Sequence, residues 1–258
     1  VDESPVALLA IVVGNTNTRF ASFDGREPEN VDLAPNSNLD DLVARILRRD
    51  AALPSDRESI VVLASDNPPV SERLVTALTP KLTHDLHRVG DDLEVPIPRA
   101  IDPDTRPGQD RLLNALAAFD SLQQACAIID VGTAVTVDFV DGQGVFQGGA
   151  IAPGATMMLR ALHERTAALP TVALARPADS PFGKNTEQAM LNGVFYGIRG
   201  MVRLLVERYA EAYEAYPRVI ATGSDAPLLF EDDPFIERII PDLTLRGVEA
   251  SCRRLVTD

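Results

Sequence analysis

Residues 11–18 and 129–136 carry the same chemistry twice. In each, a β-branched run (Ile11, Val12, Val13; Ile129, Asp130, Val131) meets a glycine, Gly14 or Gly132. Small hydroxyl or amide residues follow: Asn15, Thr16, Asn17 and Thr18 in the first copy, Thr133 and Thr136 in the second. Each copy runs on through a second strand-like stretch to an Asp-Gly pair, Asp24 and Gly25 or Asp141 and Gly142. Glycine turns of this kind present backbone N–H groups and hydroxyls, which suits phosphates. Their duplication at half-chain separation implies two similar lobes facing each other. One mismatch stands out: Asp130 in the second copy is answered by Val12 in the first. A third group, Gly108, Gln109, Asp110 and Arg111, opens a helical pattern. A carboxylate after a glycine at a helix start sits where amide dipoles orient it, and the neighbouring guanidinium fork suits a carboxylate or a phosphoryl group. Taken alone, Asp110 also reads as a first-turn acid and Arg111 as half of a surface ion pair.

The elements that must position these groups follow from periodicity. Continuous apolar runs predict buried strands at 7–13, 60–64, 125–130 and 218–221. Returning strands are expected at 19–23, 136–140 and 144–151. Asn38 is placed to cap a helix over 39–47, Ser71 to start one reaching residue 78, and further helices are expected at 110–122, 154–169, 185–213 and 247–256. Four prolines within 96–107 make that stretch loop or edge. Strands alternating with helices give the α/β class.

The 258 residues allow one large domain or two of about 120–130. Hydrophobic content of 45% with 24% charged residues is globular. The 24 basic against 38 acidic side chains leave a net charge of −14, which argues against nucleic acid or an anionic membrane as partner. Cys126 and Cys252 lie far apart in apolar stretches, so buried free thiols are expected. The apolar run 6–13 is too short to span a bilayer and no basic region precedes it, so neither a signal peptide nor a membrane partner is expected and the location is cytoplasmic. His84 and His87, three apart in a strand, face opposite sides and do not pair on a metal; His163 reads as a surface helix residue.

With these residues in view, the chain resembles the type III pantothenate kinases, of the acetate kinase/sugar kinase/Hsp70/actin superfamily. The first phosphate motif is matched by Val13, Gly14, Asn15, Thr16, Asn17, Thr18 and Arg19. The substrate motif is matched by Gly108, Gln109, Asp110 and Arg111, and the second phosphate motif by Asp130, Gly132, Thr133, Thr136 and Asp138. Gly148, Gly149, Pro153 and Gly154, then Arg165 to Pro170, then Gly183 to Thr186, then Thr222 to Ala226, then Pro241 to Gly247 complete the set in order along nearly the whole chain. The resemblance implies two ribonuclease H-like lobes, 1–122 and 123–258, with the site in the cleft between them. It implies transfer of the ATP γ-phosphoryl group to pantothenate, the first step toward coenzyme A, with Mg²⁺ and a monovalent cation (K⁺ or NH₄⁺) as cofactors. In that scheme Asp110 is the base. Gly108, Gln109, Asp110, Arg111 and Thr186 bind pantothenate, Gly14 to Arg19, Thr133 and Gly223 bind ATP, and Asp130 holds the monovalent cation. The family's members are homodimers, so a homodimer is expected.

The chain departs from the family pattern at two places. The first motif normally begins with an Asp where Val12 stands, and valine cannot coordinate a hard cation. Ile101 stands where the family has a pantothenate-contacting Tyr. The alternatives are therefore a catalytically impaired, nucleotide-binding regulator, or a kinase for another small hydroxyl acceptor.

Overall fold

Seven successive apolar residues make Ala7–Val13 a strand (β1) that tolerates burial on both faces, and all but Val12 are fully buried. In the computed structural model, which describes residues 6–257, β1 is the centre of a five-stranded sheet. It pairs antiparallel with β2 (Asn17–Phe23), which pairs antiparallel with the edge strand β3 (Pro28–Pro35). After α1 (Leu39–Asp50), β4 (Ser59–Ser65) pairs parallel to the other side of β1. After α2 (Pro68–Leu78), the short β5 (Leu86–Arg88) completes the order β3-β2-β1-β4-β5, and α3 (Gln109–Leu122) follows. Leu42 and Ile46 on α1 and Leu74 and Leu78 on α2 share one core with Leu9, Ile11, Phe20 and Leu63.

The second sheet repeats this plan. β6 (Cys126–Val131) pairs antiparallel with β7 (Ala134–Val140), and β7 antiparallel with β8 (Phe146–Pro153). Then come α4 (Ala155–Glu164), α5 (Thr186–Tyr213), β9 (Arg218–Thr222) parallel to β6, α6 (Ala226–Phe230) and β10 (Arg238–Ile239) parallel to β9. The order β10-β9-β6-β7-β8 is that of the first sheet with each strand replaced by its counterpart. The duplication read from two turns thus extends to five strands. α5 is long and apolar enough to qualify as a membrane span by length and composition, but it is a core helix here: Met190, Val194, Phe195, Ile198, Val202 and Val206 bury against β6, β7 and β9 residues.

α7 (Leu243–Thr257) corrects the expected division at residue 122. The compact units are Val1–Pro98, Asp102–Ser121 and Asp242–Asp258 on one side, and Arg99–Ile101 with Leu122–Pro241 on the other. The C-terminal helix returns to the first unit because it packs on β1 and β2 and meets α3. A Cβ at Gly247 would lie 2.3 Å from the Leu113 carbonyl oxygen, so only glycine permits this approach. Thr244 donates to Asn114 Oδ1 at 2.8 Å, and Arg253 bridges Asp120 at 2.7 Å.

Other expectations shift at their edges. α2 begins three residues before Ser71, because Asn67 caps it and Pro68 and Pro69 suit its first turn. α4 stops at Glu164 rather than continuing to residue 169; Thr166 Oγ1 donates to the Leu162 carbonyl and the chain turns toward Pro170. Both cysteines are free and buried, and burial pushes each thiol up to about 12. His84 lies before β5 and not within the strand expected to carry it with His87. Its Nδ1 lies 2.8 Å from the buried Asp50 carboxylate, which also accepts from the Thr83 amide at 2.7 Å and so ties the end of α1 to the chain entering β5.

Candidate functional site

In the first unit, the turn between β1 and β2 is closed by the Gly14 amide donating to the Asn17 carbonyl at 3.0 Å. Its carbonyls are held from outside. Asn36 Nδ2 donates to the Gly14 oxygen at 2.8 Å and the Asn36 amide to the Thr16 oxygen at 2.9 Å. With the carbonyls occupied, Asn15, Thr16 and Asn17 present their side chains to solvent. Thr18 departs from the expected role: it is fully buried and its hydroxyl donates to Asn36 Oδ1 at 2.8 Å, so it braces the turn instead of facing a ligand. Arg19, on β2, bridges Asp242 at 3.4 Å. Asn36 was not legible as a site residue, because nothing in the sequence joins the end of β3 to the turn.

The second turn is one residue shorter. Val131 pairs with Val135 and the Gly132 amide reaches the Ala134 carbonyl at 2.9 Å, whereas Val13 pairs with Thr18. The two copies therefore superimpose along β1 and β6 but slip by one residue beyond the turn, and Thr136, opposite Asp130, matches Arg19, opposite Val12, rather than Thr18. Thr133 is exposed at the tip, and its carbonyl accepts from the Gly154 amide at 3.0 Å. A Cβ on Gly154 would fall 2.1 Å from the Gly132 oxygen, which explains the Pro153-Gly154 pair closing on this turn.

Asp130 sits at the end of β6, half-buried, between Thr136 on β7 and Thr222 on β9. Gly223 follows β9 at φ +96°, and a Cβ there would lie 2.5 Å from Asp130 Oδ1. The Asp225 amide donates to the Val131 carbonyl at 3.0 Å, and burial pushes the Asp225 carboxyl up against the opposing effect of the Ser224 hydroxyl. The structure thus brings Asp130, Thr133, Gly223 and Ser224 to one end of the second sheet. Asp138 is buried on β7 beneath Gly149.

Asp110 is the second residue of α3, and its Oδ1 accepts from the Arg111 amide at 2.7 Å. A Cβ on Gly108 would lie 2.7 Å from Asp110 Oδ1 and 3.1 Å from Asp66 Oδ1, so the glycine leaves room for two carboxylates. Gln109 packs its amide over Gly90, and Arg111 is half-buried. Ile101 belongs to a short segment of the second unit bridged to Phe146, with its Cγ2 3.5 Å from the Cβ position of Gly148. Thr186 opens α5, exposed, while Asn185 caps the helix by accepting from the Gln188 amide at 2.8 Å.

Asp66 and Asn67 went unread in the sequence; an Asn before two prolines signals a helix cap, but nothing signals their distant partners. Among the described residues no group of three His, Cys, Asp or Glu side chains is gathered to hold a metal.

The family model for type III pantothenate kinase matches residues 8–208. A type III pantothenate kinase of Rhodospirillum rubrum is 36% identical over 262 residues, covering 96% of this chain and 98% of that one. Among solved structures, the likeness extends to component A of (R)-2-hydroxyglutaryl-CoA dehydratase from Acidaminococcus fermentans, at TM-score 0.55 and 13% identity over 96% of this chain and 97% of the other. It extends also to MreB5 of Spiroplasma citri, at TM-score 0.54 and 11% identity over 99% of both. These last two speak for the fold alone. With the duplicated sheets and the motifs at their strand ends in place, the chain belongs to the type III pantothenate kinase family.

Proposed function

We infer that the protein transfers the γ-phosphoryl group of ATP to the primary hydroxyl of pantothenate, giving 4'-phosphopantothenate at the start of coenzyme A biosynthesis. The observation that carries this reading is Asp110, a carboxylate fixed at the first turn of α3 with Arg111 beside it, in a chain of this family. Asp110 accepts the hydroxyl proton as the oxygen attacks, leaving Arg111 to pair with the pantothenate carboxylate or the transferring group. Gly14, Asn15, Thr16, Asn17 and Thr133 meet the phosphates through amides and hydroxyls; Arg19, tied to Asp242, contributes charge. Gly223 lines the adenosine side, Thr186 bonds pantothenate, and Asp130 takes a monovalent cation, K⁺ or NH₄⁺. Mg²⁺ carried by the nucleotide would supply the charge that offsets the phosphates.

A homodimer in the cytoplasm completes the proposal. Support for the dimer comes from one stripe of α5. Gly193, Gly197 and Gly200 have nothing within 4 Å of their Cβ positions, and Tyr196 and Leu204 beside them are 48% and 59% exposed. Sedimentation at micromolar concentration should give twice the 27.8 kDa chain mass; a monomer there would overturn it.

Val12 favours a second reading, an impaired enzyme, and one assay separates the two. Purified protein is given ATP, Mg²⁺ and pantothenate, and the phosphorylated product is weighed by mass spectrometry. Wild type is expected to turn over. Val12 lies directly opposite Arg19 across β1 and β2, so Val12→Asp places a carboxylate on the same face as that guanidinium. This variant should raise kcat/KM for MgATP about tenfold, one charge contact of about 1.4 kcal/mol. An inert wild type revived by Val12→Asp would establish the impaired reading; inactivity of both would overturn the function.

A further inference from the structure

The connection from β4 to α2 touches both halves of the first unit's machinery. Ser65 Oγ donates to the Val13 carbonyl at 3.3 Å and accepts from the Asn67 amide at 2.9 Å. Asp66 accepts from two consecutive amides at the start of α3: Gln109 to Oδ1 at 2.8 Å and Asp110 to Oδ2 at 3.0 Å. Asn67 caps α2 through Oδ1, and its Nδ2 lies 3.4 Å from both the Gly14 and Asn15 carbonyls of the phosphate turn. One tripeptide therefore grips the turn on one side and the backbone of Asp110 on the other.

We propose that Ser65, Asp66 and Asn67 form a positioning bracket for phosphoryl transfer, in which Asp66 fixes the backbone and reach of Asp110 while Asn67 holds the phosphate turn. The inference rests on the function proposed above and names residues that touch neither substrate. A carboxylate taking two adjacent first-turn amides makes two charge-assisted bonds, and α3 cannot pivot at Asp110 without breaking both. Gly108 admits this arrangement, since any Cβ there would press on Asp110 and Asp66 together. Asp66 thereby spends its charge on the helix start and leaves Asp110 for the acceptor hydroxyl.

The fold supplies an independent argument. Ala64 pairs with Val12 as Thr222 pairs with Asp130, so Ser65, Asp66 and Asn67 stand where Gly223, Ser224 and Asp225 stand in the second unit. In that unit the turn after the strand carries the motif assigned to adenosine. In the first unit the same turn, with longer polar side chains, reaches sideways to β1 and α3 instead.

The test is steady-state kinetics of Asp66→Ala, Asp66→Asn and Asn67→Ala, with Asp50→Ala as a variant that loses stability elsewhere in the same unit. Asp66→Ala should lower kcat about tenfold to a hundredfold with the KM for ATP held within about twofold, the signature of a misplaced base. Asp66→Asn keeps one acceptor oxygen and should recover most of that loss. Asn67→Ala should raise the KM for ATP about threefold with kcat kept within about twofold. Asp50→Ala should melt earlier yet keep kcat. Amide exchange at Gln109 and Asp110 in Asp66→Ala should quicken at least about tenfold, with or without substrate. Unchanged exchange, or an Asp66→Ala enzyme with normal kcat beside an inert Asp110→Asn, would overturn the bracket. A fully active Asp110→Asn would instead strike the proposed function itself.

Discussion

Asp110→Asn is expected to lower pantothenate phosphorylation by about 10² to 10⁴-fold, the span ordinarily contributed by a positioned base. In barrier terms this is roughly 3–5 kcal/mol. The substitution is chosen because it removes proton affinity and little else. Asn Oδ1 can still accept from the Arg111 amide, as Asp110 Oδ1 does at 2.7 Å, so the first turn of α3 keeps its local bond. Volume is nearly conserved, and Gly108 leaves the same room. The KM for ATP should hold within about twofold, because the role proposed for Asp110 is toward the acceptor hydroxyl and not the nucleotide. Rates measured by product mass, with nucleotide affinity measured separately by calorimetry, distinguish loss of chemistry from loss of binding. A fall smaller than about tenfold would show that another group takes the proton.

Much of this was legible because it is local. Apolar runs at 7–13 and 125–130 read as buried strands, and a glycine followed by small polar residues reads as a turn. The duplicated pattern implies two similar lobes, each built on a hairpin. What escaped reading is non-local. β3 has an almost wholly exposed surface, with Val31 and Leu33 facing out, so no alternation marks it; pairing with β2 alone makes it a strand. α7 reads as an amphipathic helix, but its membership in the first unit depends on Gly247 meeting the Leu113 backbone 134 positions away. Asn36, Asp66 and Asn67 are ordinary loop polars by type. Their meaning lies in which distant amide or carbonyl each one meets, and spacing along the chain does not encode that. Thr18 shows the converse: its type and neighbours suit a phosphate ligand, while burial gives its hydroxyl to Asn36.

Gly223→Ala carries the largest expected cost to the fold. The residue sits at φ +96°, where an L side chain is strained by about 1–3 kcal/mol. The added methyl would also lie 2.2 Å from the Val131 carbonyl oxygen and 2.6 Å from its carbon. Both are backbone atoms of the central strand β6, so no rotamer change relieves the contact. The turn after β9 must lift away, adding about 1–3 kcal/mol of overpacking. Together these predict roughly 2–6 kcal/mol of lost stability and a Tm lower by roughly 10 °C. Gly132→Ala is the matched contrast. It lies in the facing turn without a positive φ, and its Cβ would meet only Ser224 Oγ at 3.8 Å, so its cost should stay below about 1 kcal/mol. The displaced turn carries a second consequence, since the same methyl would press on Asp130 Oδ1 at 2.5 Å. With Asp130 as the cation ligand, residual Gly223→Ala protein assayed below its Tm should need more K⁺ for half-maximal rate than wild type. A variant that melts early but keeps the wild-type K⁺ dependence would separate the turn's structural duty from its place at the site, leaving Asp130 without the proposed cation.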